Sequence, residues 1–192
     1  MDPTATDPRS GRPMEAERGE GAARAPHPAF RVGVGYDSHR FDPARPLILG
    51  GVHFPDEPGL TGVSDADAIA HAVTDAILGA SGLGDIGSHF PPTDPAWLGA
   101  DSLVLLESVM RLVYGRGWLV GNVDVVVVCE RPKIGPRAAE IRTRLAAALG
   151  IDADLVSVKG KTNEGMGWEG RQEGIGVHSV ALLYRGPAPS AP

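Results

Sequence analysis

The sequence has almost no cysteine, no surplus of positive charge and no long apolar run, and each shortage excludes something. A single cysteine, Cys129, rules out an intramolecular disulfide framework and fits a reducing compartment. It lies inside the apolar run "VDVVVVCE", where a small buried strand residue is expected rather than a nucleophile. No stretch approaches the roughly 20 apolar residues that a bilayer-crossing helix needs, so no membrane association is expected. The 18 Lys and Arg against 24 Asp and Glu leave a net charge of -6, which argues against nucleic acid as a partner. A small anionic ligand stays compatible, because a few local cations or a metal outweigh a distant negative average. The N-terminus lacks the apolar core of a secretory signal and carries acids foreign to a transit peptide, so a cytoplasmic location is expected.

What is present is one medium domain between two polar ends. Residues 1–29 are rich in Pro, Gly, Ala and charge and cannot bury enough surface to offset their ordering entropy. They read as a disordered leader, with Met14 an alternative start, and residues 186–192 as a disordered tail. Between them, residues 30–185 alternate strands and helices. "FRVGVGY" reads as a first strand and "PLILGGVHF" as a hairpin turning at Gly50-Gly51. Helices are expected from Ser64 to Ala80, from Asp101 to Tyr114, and over "GPRAAEIRTRLAAALG", closed by Gly150. "LVGNVDVVVVCE", "LVSVKGKT" and "GIGVHSVALLY" supply the remaining strands. The fold class expected is α/β, an α+β sandwich with a mixed four- to five-stranded sheet and helices on one face. No internal repeat is found.

Two stretches suggest chemistry. In "GVGYDSHRF", Asp37 and His39 are two residues apart on an extended chain, so both side chains leave the same face. In "VSDADAIAHAVTDAILGA", Ile69, Ala72, Val73, Ala76, Ile77 and Ala80 form an apolar stripe, while Asp67, His71 and Asp75 recur every four residues opposite it. Ser64 stands where an N-cap is expected. That polar face reads either as a solvated surface or as the source of a third ligand. With Asp37 and His39, His71 would give two imidazoles and a carboxylate, leaving a fourth position of a zinc ion open as catalytic zinc sites do. Asp67 or Asp75 would then steady the ligands from behind.

Glycine-rich segments add a second group. "GVGYDS" is not a dinucleotide fingerprint, since the third glycine is missing, and "GLGDIG" reads by itself as a helix stop and tight turn. "VKGKTNEGMGWEGRQEGIG" gathers Lys159, Lys161, Thr162, Glu164 and Arg171 among glycines. Cations, a hydroxyl and free backbone N–H groups suit phosphate oxygens, and a carboxylate beside them suits Mg²⁺ or Mn²⁺.

The blocks "GVGYDSHRF", "LILGG", "SDADAIAHAVTDAILGASGLGDIG", "HFPPTDP", "NVDVVVVCERPKI" and "VKGKTNEGMGWEGRQEGI" occur in an order that resembles the 2-C-methyl-D-erythritol 2,4-cyclodiphosphate synthase family, from about Arg31 to Tyr184. The resemblance implies a homotrimer with active sites between subunits. It implies that 4-diphosphocytidyl-2-C-methyl-D-erythritol 2-phosphate is cyclised with release of CMP, its 2-phosphate attacking the β-phosphorus, in the non-mevalonate isoprenoid pathway. Zinc would be held by Asp37, His39 and His71, and a second divalent cation, Mg²⁺ or Mn²⁺, by Glu164. Thr162 would steady the transition state; Lys161 beside it is expected as a second catalytic group from its charge, not from the resemblance. Ser38, Ser64 and Asp75 join the substrate-contacting set around the zinc ligands. Asp85, Ile86 and Gly87 match ribose contacts, while Phe90, Pro91, Pro92, Thr93 and Asp94 line the methylerythritol end. Cys129, Glu130, Arg131, Pro132, Lys133, Ile134 and Gly135 match the segment that cradles cytosine. Asn163, Trp168 and Arg171 complete the substrate-contacting set. Arg171 and Glu173 match residues near a trimer axis that holds an apolar cavity, a place for an isoprenoid phosphate.

The sequence departs from that pattern at four positions. Val63 stands where the family carries a histidine taken to stabilise the transition state, and Lys161 where it carries threonine. Trp168 replaces a phenylalanine and Pro92 an acid. Lys161 is expected to supply the positive charge that Val63 cannot. Two other readings stand beside the synthase: a zinc-dependent phosphohydrolase using water as attacker, and a non-catalytic trimer binding nucleotides or isoprenoid phosphates.

Overall fold

The structure, a computed structural model, describes residues 29–186; the expected leader and tail lie, apart from Ala29 and Gly186, outside the described residues. Five strands, β1 (Phe30–Leu49), β2 (Val52–Leu60), β3 (Trp118–Val128), β4 (Val156–Lys161) and β5 (Gly174–Arg185), form one sheet in the order β2-β1-β5-β3-β4. Only β3 and β4 run parallel. That pairing needs a crossover, supplied by α4 (Ala138–Leu149). The other helices are α1 (Ala68–Ser81), α2 (Ile86–His89), α3 (Ser102–Gly115) and α5 (Gly167–Gly170). The mixed sheet with helices on one face is as the alternation of apolar residues predicts.

Alternation along each strand decides which face is covered. Val123, Val125 and Val127 are fully buried beneath the helices. On the opposite face Phe30, Val32, Val34, Tyr36 and Val180 stay 43–69% exposed. The hairpin turns at Gly50-Gly51 as expected, with φ of 58° and 72°, the left-handed pair that a two-residue turn of this twist demands.

Two further glycines set the height of α1 above the sheet. A Cβ on Gly35 would sit 1.9 Å from the Ala72 carbonyl oxygen, and one on Gly33 2.0 Å from that of Ala76. Bare glycines therefore let α1 lie directly on β1, which carries His71 down to the side chains of the strand beneath.

The short helices α2 and α5 lie in stretches where none is expected, and two longer elements differ as well. The first strand and the first arm of the hairpin are one continuous β1, because pairing with β5 up to Arg40 passes directly into pairing with β2 from Phe41. The helix expected from Ser64 begins at Ala68, capped by Asp67, whose carboxylate accepts from the backbone N–H of Ile69 and Ala70. Asp67 also accepts from Gly50 and Gly51 N–H, both at 2.7 Å, and is completely buried. It therefore does not share the His71 and Asp75 face. It ties the hairpin turn to the start of α1, where its charge also complements the helix dipole.

Candidate functional site

Asp37 and His39 leave the helix-covered side of β1, and α1 brings His71 down onto them. Asp37 Oδ2 is 2.8 Å from His39 Nε2 and 3.1 Å from His71 Nδ1, and the two imidazole nitrogens are 3.4 Å apart. Among the described residues this is the one group of three or more His, Cys, Asp or Glu side chains arranged to hold a metal ion. Its outer contacts fit that use. His39 Nδ1 donates to the Thr61 carbonyl at 2.6 Å, which leaves the Nε2 lone pair facing inward. His71 turns Nε2 outward, to Ser102 Oγ at 2.9 Å and Ser64 Oγ at 3.2 Å.

Charge inside the trio is unevenly held. Burial raises the Asp37 carboxyl, but hydrogen bonds and charge from His39 and His71 outweigh it and bring the pKa down to about 2. Burial works against the His39 cation, yet the hydrogen bond and charge of Asp37 raise its pKa above the ordinary imidazole value.

A cavity of about 210 Å³ opens beside the trio, lined by His39, Val63, Ser64, His71, Ile86, Gly87, Phe90, Pro92, Trp97 and Leu105. Phe90 meets the Trp97 ring edge-on at 5.0 Å between centroids. Five sequence-predicted residues, Ser64, Ile86, Gly87, Phe90 and Pro92, thus do join the metal candidates. Asp75 stands behind them: its carboxylate accepts from Ile86 N–H at 2.7 Å, and burial raises its pKa. Asp85 caps α2, and hydrogen bonds from Ser88 hold its exposed carboxyl below the usual range. Asp94 caps the turn at residues 95–97, and Pro91 and Thr93 are exposed beside it.

A second, larger cavity of about 520 Å³ is lined by Cys129, Pro132, Lys133, Ile134, Gly135, Pro136, Gly160, Lys161, Thr162 and Glu164. This joins the segment expected to cradle a base with the segment expected to meet phosphates. Glu130 forms the hinge between them, accepting from Asn163 N–H at 3.0 Å and Gly165 N–H at 3.3 Å. Arg131 turns away to Glu57 at 2.8 Å. Thr162 donates to Glu164 at 2.6 Å, and Glu164 has φ of 50°, a conformation that a non-glycine residue adopts at a cost and that concentrates at functional sites. Burial pushes the Cys129 thiol up to about 12, so it stays neutral and acts as cavity wall.

The two cavities are separate within one chain. Ser38, Gly176, Val128 and Lys161 are consecutive partners across β1, β5, β3 and β4. Three inter-strand spacings put Lys161 about 14 Å from the trio's strand. Lys161 also faces the open side of the sheet, opposite to Asp37 and His39. The compensation for Val63 expected from Lys161 is therefore not made within one chain. Ser38 points away from the trio as well, into a cavity shared with His39, Arg40, Trp168 and Glu173. Arg171 pairs with Glu173 at 2.7 Å and Arg40 lies 3.6 Å from the same carboxylate.

Sequence reasoning missed Asp65, Trp97 and Ser102. Ser102 offers no local signal, since it stands where any first residue of a helix would.

Fold and site together define an α+β protein with one half-covered mixed sheet and a His₂Asp metal-binding candidate at its strand–helix junction. The chain belongs to the YgbB family, whose model matches residues 30–184. It is 57% identical over 157 residues to the 2-C-methyl-D-erythritol 2,4-cyclodiphosphate synthase of Thermosynechococcus vestitus, covering 82% of this chain and 98% of that protein. It is 54% identical over 173 residues to the bifunctional enzyme IspD/IspF of Anaeromyxobacter dehalogenans, covering 90% of this chain and spanning 44% of that longer relative. A solved structure described as the CDP complex of IspF from Plasmodium falciparum matches with a TM-score of 0.73 at 34% identity, covering 84% of this chain and 99% of that one. The resemblance read from the six sequence blocks is borne out.

Proposed function

We propose that the chain cyclises 4-diphosphocytidyl-2-C-methyl-D-erythritol 2-phosphate to 2-C-methyl-D-erythritol 2,4-cyclodiphosphate, releasing CMP. The relatives that it matches along nearly their whole length indicate 2-C-methyl-D-erythritol 2,4-cyclodiphosphate synthase activity in the isoprenoid pathway. The observation that carries the reading for this chain is the convergence of Asp37, His39 and His71.

The reaction brings one phosphate onto another, so mutual repulsion must be screened before an in-line approach is reached. The three ligands fit zinc: two imidazole lone pairs and one carboxylate converge, and each imidazole's other nitrogen already has a partner. When bound, zinc supplies two positive charges at the attacked phosphate. Glu164, exposed and paired with Thr162, would hold the second divalent ion, and Lys133 and Lys161 add charge around the leaving nucleotide. Ser64 accepts from Ala66 N–H at 3.1 Å, which leaves its own O–H to donate to a substrate phosphate. Among the described residues no nucleophilic side chain is poised for attack, and the chemistry asks for none.

The ~14 Å between the trio's strand and Lys161, and their opposite faces, support a site completed by a second copy. Its phosphate-binding segment would meet the first copy's trio. The exposed row Phe30, Val32, Val34 and Tyr36 supports association through the open face of the sheet, in line with the expected trimer.

The direct test is ³¹P detection of product from the purified chain, with and without a chelator. Cyclic diphosphate plus CMP, lost on chelation, is the expected result. An open-chain product would establish a phosphohydrolase instead, and absence of turnover a binding protein. The trio's protonation gives a second expectation. Proton and metal compete for His39 Nε2, so zinc affinity is expected to fall about tenfold per pH unit below the raised His39 pKa. The loss should begin above the ordinary imidazole value of about 6.5. Calorimetric titration with zinc across that range checks it, and a flat profile contradicts it.

A further inference from the structure

His39 and His71 must each present a bare nitrogen to the same point, and the fold secures this by two different devices. For His39 the outer partner is the Thr61 carbonyl, which only accepts, so Nδ1 carries the proton. For His71 the outer partner is Ser102 Oγ at 2.9 Å, and a hydroxyl can accept or donate. What removes the ambiguity is Asp65. Ser102 Oγ donates to Asp65 Oδ1, and Ser102 N–H donates to Asp65 Oδ2 at 3.1 Å. With its single hydrogen committed to a carboxylate, the hydroxyl oxygen turns lone pairs to His71.

We infer that Asp65 and Ser102 act as a positioning pair that holds His71 as the Nε2–H tautomer and keeps its Nδ1 lone pair directed at the Asp37–His39 ligand atoms. The pair rests on reading the trio as a metal centre and adds two residues that touch neither metal nor substrate. Ser102 is 1% exposed, so water does not compete for the imidazole N–H. A hydroxyl polarised by a carboxylate is also a stronger acceptor than one facing solvent, which tightens its hold on the imidazole N–H.

The pair is held by backbone on both sides. Asp65 N–H donates to the Ala100 carbonyl at 3.0 Å, and Gly99 N–H to that of Val63 at 2.8 Å. The segment before α1 is thus zipped to the segment before α3, and Ser102 enters as the first residue of that helix. Ser64 also reaches His71 Nε2, at 3.2 Å, but it is the longer contact, and Ser64 lines the open cavity. The two serines therefore divide the work: Ser102 orients the ligand, and Ser64 is left for substrate.

The test is zinc affinity of Ser102→Ala by chelator competition, read together with the His71 imidazole signals of the zinc-loaded chain by ¹⁵N NMR. Affinity is expected to fall about 10–100-fold, the usual cost of losing such an outer partner. The His71 Nε2–H proton, protected from exchange in the wild type, is expected to exchange with water in the variant, with the circular dichroism spectrum unchanged. Affinity within twofold of wild type, or a proton still protected, overturns the inference. If the variant does not fold, the wild type alone decides: a zinc-loaded chain whose His71 carries its proton on Nδ1 overturns it. A wild-type chain that takes up no zinc overturns the metal reading itself, and this inference with it.

Discussion

His71→Ala is expected to lose zinc and to slow cyclisation by on the order of 10³ or more, beyond the 10²–10³ typical for removing one oriented electrostatic group. The reason lies in what remains. Asp37 and His39 sit two residues apart on one strand, and a divalent ion held by those two alone keeps neither the geometry nor the charge density of three ligands. The imidazole that α1 lowers onto β1 closes the site. His71 is not a member of the buried apolar cluster to which Ile69, Ala72, Val73 and Ile77 belong. The variant should therefore fold, and its melting temperature should stay close to that of the wild type. Metal content by elemental analysis and product formation by ³¹P detection check the two halves. Full cyclisation by a zinc-free His71→Ala chain would overturn the account.

Asp67→Ala is expected to cost about 3–7 kcal/mol of stability and to lower the melting temperature by about 6 °C or more. One carboxylate satisfies four backbone donors: Ile69 and Ala70 N–H at the start of α1, and Gly50 and Gly51 N–H at the hairpin turn. Loss of an N-cap costs about 1 kcal/mol, and each enclosed turn amide left without a partner adds about 1–3 kcal/mol. The pH dependence carries a sign that identifies the group. Burial pushes the Asp67 carboxyl up to about 6, against the pull of the Gly50, Gly51 and Ala70 amides. A raised folded pKa favours the folded state most below the ordinary value near 3.8, and that favour is lost as pH rises through about 6. The difference in stability between wild type and Asp67→Ala, followed by thermal unfolding, should therefore shrink as pH rises across that window. A difference below 1 kcal/mol at all pH values would remove Asp67 from its role as the tie between turn and helix.

The same residue marks the limit of helical periodicity as a guide. Spacing by four put Asp67 with His71 and Asp75, and the spacing is real. Yet Asp67 is the cap and not a helical residue, so its side chain turns back to the amides rather than out along the face. Ser64, read as the cap, instead lines the cavity beside His71. Lys161 shows the converse. Its chemistry suits phosphate, but a strand places successive side chains on opposite faces, and two strands, β5 and β3, separate it from the trio's strand.

From the sequence alone came the two-histidine, one-carboxylate set, the hairpin at Gly50-Gly51, the three long helices, the covered sheet and the family, because each is written in local spacing or residue order. Tertiary structure alone decided that Gly33 and Gly35 bring α1 within reach of the strand. It also decided that Asp67 serves the turn, that Lys161 faces away, and that Asp65 and Ser102 meet behind His71. Periodicity tells which side a residue takes and nothing of what waits there. That depends on how segments far apart in the chain dock, and Ser102 and His71, 31 positions apart, become neighbours only when α3 closes against the loop before α1.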